Sequence, residues 1–179
     1  MSNIRQEIEN VIRREGGYVN HPDDRGGPTN YGITQSTLSA YLGRAALIDD
    51  VRNLSKELAC DIYEQRYYTG VGIHRLPETV QPFVFDSAVN HGPRRAIKFV
   101  QSVCSQAGYR PELTQDGAIG PNTLKGAEWA EENMGEYFLK ALVEERRNYY
   151  HLIVENNSSQ GKFLKGWLNR ISEFDGEVA

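Results

Sequence analysis

The chain has 179 residues, 39% hydrophobic and 25% charged, with a net charge of −4. That composition is ordinary for a globular protein long enough to bury a core, and its acidic balance offers no bulk attraction for nucleic acid or anionic membranes. Two cysteines are too few for a disulfide framework, and no apolar run approaches the ~20 residues that span a bilayer.

The opening "MSNIRQEIEN" is polar and lacks a secretory apolar segment. Synthesis in a cytoplasm is therefore expected. Ile4, Ile8, Val11 and Ile12 repeat with a helical period, with Ser2 or Asn3 as N-cap and Gly16 and Gly17 as the stop. Residues 18–33, "YVNHPDDRGGPTNYGI", read as a small strand-and-turn excursion. Thr34 is placed to cap a helix carrying Leu38, Tyr41 and Leu42. Ser55 is placed to cap another, through Ile62 and Tyr63, that ends near Gly70. Pro77 fits a helix start and Gly92 a helix stop. Pro93 fits the first position of the next helix, whose apolar residues run from Ala96 to Ala107.

Residues 108–121, "GYRPELTQDGAIGP", form the clearest break. A helix opening with Pro121, a long helix over roughly 133–156, a turn at "NNSSQG" and a final helix bearing Trp167 and Ile171 complete the chain. Tyr137, Tyr149, Tyr150 and Trp167 stand at core spacings in these helices. Cys60 and Cys104 fall within apolar helical patterns and read as buried free thiols. The reading is mainly α.

Glu15 continues the apolar series Ile4, Ile8, Val11. Residues three and four apart share a helix face, so Glu15 is expected to point toward the core. Apolar neighbours and the negative end of a helix both disfavour a charged carboxylate, as suits a general acid. Asp23 and Asp24 lie in the loop "HPDDRGGPTN", and the excursion is long enough to return one of them opposite Glu15. A solvated aspartate facing a desolvated glutamate is the acid/base split of glycosidases.

"EGGYVNHPDDRGGPTNYGIT" resembles the signature of glycoside hydrolase family 108, the N-acetylmuramidases of phage endolysins and bacterial secretion-activator proteins. "FVFDSAVNHGPRRAIKFVQ" is similar to that family's lysozyme-like helix pair, and "DGAIGPNTL" to the turn of peptidoglycan-binding modules. The resemblance implies a lysozyme-like helical fold with a small β-hairpin. It implies a catalytic part over 1–92 and a helical peptidoglycan-binding part over 93–179 packed on it. It further implies hydrolysis of the β-1,4 bond between N-acetylmuramic acid and N-acetylglucosamine.

On that pattern Glu15 matches the catalytic glutamate and Asp24 the aspartate. The water-positioning role falls to Thr29 by residue type or to Asn30 by strict spacing. Tyr18, Asn30, Tyr31 and Asn90 are candidate sugar contacts, with Tyr67 and Tyr68 as further aromatic candidates. Asn90 sits in an Asn-X-Gly turn that the resemblance places at the substrate cleft. Inversion is expected by analogy with phage-type lysozymes. No cofactor is implied, and His21 and His91 lack the spacing of a metal site. The expected partner is bacterial peptidoglycan, met by a monomer in the periplasm, without nucleic acid or stable membrane association. A lytic transglycosylase and a non-catalytic wall-binding or secretion-accessory protein are the competing readings.

Overall fold

The computed structural model describes residues 4–20 and 27–175. Two of its helices start where a short polar side chain satisfies a first free amide. Thr34 Oγ accepts from Thr37 N at 3.1 Å, and Ser55 Oγ accepts from Leu58 N at 3.1 Å. Ser2 and Asn3, the expected caps of the first helix, lie outside the described residues.

The chain packs as two compact units, Met1–Gly70 and Val71–Ala179. In the first, α1 (Ile4–Glu15) lies against α4 (Lys56–Glu64). Between them come β1 (Thr29–Asn30), β2 (Ile33–Thr34), α2 (Gln35–Leu42) and α3 (Ile48–Arg52). Ile8, Val11, Ile12, Ile33, Leu38, Val51 and Ile62 are buried there. The two strands pair antiparallel, Thr29 with Thr34 and Asn30 with Ile33, and Val19 bridges to Thr29. The expected excursion is thus a hairpin of two-residue strands. Helix α3 was not anticipated: five residues are too few to show a 3.6-residue period.

A π-helical turn, Gln65–Thr69, extends α4. Gly70 closes it through an N–H bond to the Gln65 carbonyl at 2.9 Å. A Cβ at Gly70 would stand 2.2 Å from that same oxygen, so the closing residue must be glycine.

The second unit contains α5 (Gln81–His91), α6 (Pro93–Gln106), α7 (Pro121–Met134), α8 (Glu136–Asn156) and α9 (Gly161–Ser172). Helix α5 packs chiefly on α6, and α6 also contacts α7 and α8. Gly92, at φ 83°, ends α5, and Pro93 begins α6 immediately. Pro77 proves to precede a turn; α5 begins at Gln81, with Pro82 in its first turn. Phe83, Phe85, Val100, Cys104, Phe138, Leu142 and Ile171 are buried. Cys60 and Cys104 are both buried and free, and burial pushes the Cys104 thiol up to about 12, which leaves it inert. Of the tyrosines expected in the core, Tyr150 is buried and Tyr149 half-buried, but Tyr137 is 62% exposed because it sits at the first turn of α8. Among the described residues no helix is long and apolar enough to cross a membrane.

Candidate active site

The candidate acid stands at the last position of α1. Ile8, Val11 and Ile12 are buried as their spacing demands, but Glu15 is exposed. This corrects the expectation of a core-facing carboxyl. The helix stops at that residue, and Gly16, at φ 80°, turns the chain away, so the apolar stripe has no further neighbours to enclose position 15. Within the described residues Glu15 makes no hydrogen bond and no ion pair.

What stands beside it is the hairpin turn. Val19 and Thr29 exchange both backbone bonds at 2.8 Å, which draws the chain leaving α1 against β1. The turn residues Tyr31 and Gly32 have φ of 52° and 75°, as in a two-residue type I′ hairpin loop. Tyrosine in the left-handed region costs roughly 1–2 kcal/mol. The Tyr63 hydroxyl offsets part of that cost by donating to the Tyr31 carbonyl at 2.8 Å. A Cβ at Gly32 would stand 2.9 Å from Glu15 Oε2 and 2.7 Å from Tyr63 Oη. Glycine is therefore needed at position 32 for both its backbone angle and its missing side chain.

The expected sugar contacts divide. Tyr31 is half-buried at the turn, and Thr29 is half-buried in β1. Tyr18 is half-buried with the Arg52 guanidinium 5.5 Å from its ring centre, and its buried hydroxyl has no hydrogen-bond partner among the described residues. Asn30 is turned inward. It is 5% exposed, and its amide donates to the Val51 and Arg52 carbonyls at 3.0 and 3.2 Å. Those carbonyls end α3 and lack partners within the helix, so Asn30 ties the hairpin to α3 and is not open to a sugar or water. Tyr67 is half-buried and Tyr68 buried. Asp23, Asp24 and His21 lie outside the described residues.

Asn90 belongs to the second unit. It is exposed at the end of α5, and its amide donates back to the Asp86 carbonyl at 2.9 Å and to Asp86 Oδ2 at 3.2 Å. Beneath it lies a charged cluster that the sequence did not reveal. Asp86 and Arg146 are both fully buried and meet at 2.7 Å. Arg170 donates to the other Asp86 oxygen at 2.8 Å. Burial opposes the Asp86 charge, but the two guanidiniums outweigh it and hold the carboxyl below its usual range. Arg146 also donates to Ser87, Tyr150 and His91 Nε2, the last at 3.1 Å. Burial, then the Arg146 charge, lowers His91 to about 3, so its imidazole is neutral and accepts that bond. His91 is thereby committed within the cluster. Asp86 and Arg146 are saturated with partners, which marks a structural device.

The "DGAIGPNTL" turn is likewise closed on itself. Buried Gln101 of α6 donates to Asp116 Oδ1 at 2.8 Å and accepts from Gly117 N at 3.0 Å, while Asp116 also caps Ala118 N at 2.9 Å. These bonds, Gln101 foremost, hold the Asp116 carboxyl below its usual range. At the start of α6, Arg94 is exposed, and Arg95 lies 4.7 Å from the Tyr149 ring centre.

Comparison with known proteins places this geometry. The solved structure of SagA from Brucella abortus matches with a TM-score of 0.74 at 34% identity, over 97% of this chain and 91% of that one. The sequence profile described as "Glycosyl hydrolase 108" matches residues 8–92. The chain belongs to glycosyl hydrolase family 108. A second profile, described as "Predicted Peptidoglycan domain", matches residues 95–172. No curated protein matches the chain. Family 108 membership makes the protein a glycoside hydrolase, and the second profile directs that activity to peptidoglycan. Helix α5 belongs to the family 108 profile by sequence and to the second unit by packing. Gly32 and Tyr63, which shape the surroundings of Glu15, escaped the sequence reading. The "NYGI" turn was a visible hairpin signal for the first, but only the folded pairing brings Tyr63 to it.

Proposed function

We propose that the protein is an N-acetylmuramidase that hydrolyses the β-1,4 bond between N-acetylmuramic acid and N-acetylglucosamine, with Glu15 as general acid. The observation that carries this reading is an uncommitted carboxyl, fixed at the edge of a hairpin in a family 108 chain. Glu15 donates its proton to the glycosidic oxygen as the bond breaks. A glycan laid over the carboxyl excludes water from the reacting bond. Asp24 then stabilises the positive charge developing on the sugar ring or activates the attacking water. Thr29 is the hydroxyl available to hold that water, since the Asn30 amide nitrogen is bound to α3. Tyr18 and Tyr31 supply aromatic faces for the sugars. The chain acts as a monomer, made in a bacterial cytoplasm and working on the wall in the periplasm.

The test is mass spectrometry of peptidoglycan digested by the wild type and by Glu15→Gln. Reducing N-acetylmuramic acid ends, with water incorporated and lost in the variant, are expected. Anhydro ends would make the protein a transglycosylase. Wall binding without any cleavage by the wild type would make it an accessory protein.

A further inference from the structure

We propose that Gly32 and Tyr63 are positioning residues for the Glu15 carboxyl; the proposal rests on the reading of Glu15 as the acid. A glutamate at a helix end has several rotamers open to it, and no bond within the described residues selects one. The selection is steric. The place a Cβ would take at Gly32 lies 2.9 Å from Glu15 Oε2 and 3.1 Å from Glu15 Cγ, so the length of the side chain rests along the bare face of that glycine. Tyr63 Oη lies 2.7 Å from the same place.

The turn that carries Gly32 is itself held. Tyr31 stands at φ 52°, a strained angle for a tyrosine, and the 2.8 Å bond from Tyr63 to its carbonyl fixes the peptide leading into Gly32. Tyr63 is buried, and its ring meets that of Tyr67 at 5.5 Å and 34°. Tyr67 belongs to the π-helical turn, a feature that often re-aims side chains at functional sites. A line of contacts therefore runs from the π turn through Tyr67 and Tyr63 to Gly32 and ends on the carboxyl. Nothing in it touches substrate; its effect is where the acid stands when the glycosidic oxygen arrives.

The experiment measures kcat and KM for reducing-end release from solubilised peptidoglycan, with a melting curve for each variant of the full chain. Tyr63→Phe removes the bond to Tyr31 and keeps the ring. It is expected to lower kcat about tenfold with KM held, because small misplacements of a reacting group are costly. Gly32→Ala, which moves the carboxyl directly, is expected to lower kcat about a hundredfold. Unchanged kcat in Tyr63→Phe overturns the proposal, as does a loss of kcat matched by loss of the folded fraction, or a rise in KM alone. Should Gly32→Ala fail to fold, Tyr63→Phe decides. A Glu15→Gln control separates the two layers. If that variant turns over normally, the acid assignment fails. If it is inactive while both positioning variants match the wild type, only the positioning role fails.

Discussion

Asp86 and Glu15 are acids carried by amphipathic or apolar helices, and the two units treat them in opposite ways. Asp86 is 0% exposed and gripped by two arginines, with its charge held by them. Glu15 is exposed, without a hydrogen bond or ion pair among the described residues, and rests beside the bare face of a glycine. A carboxylate saturated with guanidinium bonds cannot give or take a proton at neutral pH. Depth of burial is therefore a poor guide to which acid does chemistry; freedom from partners within a fixed position is the better one. Asp86 serves the fold, and Glu15 is left available.

The sharpest way to break this contrast is to neutralise the free acid. Glu15→Gln is expected to lower turnover by roughly a hundredfold to ten-thousandfold, the usual worth of a general acid, with the urea midpoint unchanged. The reverse pattern is expected at the buried acid. Asp86→Ala strands Arg146 without its partner, at a cost of about 3–5 kcal/mol. That is a large part of a typical domain's stability of roughly 5–15 kcal/mol, and a urea titration reads it as a lower midpoint.

A pH titration sharpens the comparison further. His91 lies well below its ordinary value, at about 3, so below pH 6.5 the unfolded chain takes up a proton that the folded chain refuses. Stability should therefore fall as pH drops from about 6.5 toward 3, by up to about 1.4 kcal/mol per pH unit from this group. Asp86, also depressed, adds to the fall below about pH 4. His91→Gln should flatten the slope between pH 6.5 and 4 in denaturant titrations. The smallest effect expected is at Asn30. Asn30→Ala removes the two side-chain bonds to the end of α3 and loosens the hairpin, lowering stability by about 1–2 kcal/mol, with a matching drop in melting temperature.

Much of the fold could be read from local chemistry. Thr34 and Ser55 cap the helices expected of them, Gly92 and Pro93 punctuate as expected, and "NYGI" is a hairpin turn. Those signals act over three or four residues. What escaped depends on longer reach. Asp86 meets Arg146 across 60 positions and Arg170 across 84, and Tyr63 meets the turn across 32. The error at Glu15 is instructive because the same argument would have succeeded at Arg146. Arg146 interrupts an apolar face between Leu142 and Tyr150 and is fully buried. Both residues extend a stripe, but Arg146 has helix on either side to enclose it, whereas α1 stops at Glu15.

The single-residue junction at Gly92 has a practical and an evolutionary consequence. A cut there, between the spans of the two profiles, would divide α5, with its buried Phe83, Phe85 and Ala88, from the helix on which it chiefly packs. A recombinant fragment ending at 92 would lack the helices that bury α5 and is expected to precipitate. Swapping wall-binding halves between relatives should therefore succeed with a crossover near Gly70, where the packing itself divides, and fail with one placed at the sequence boundary.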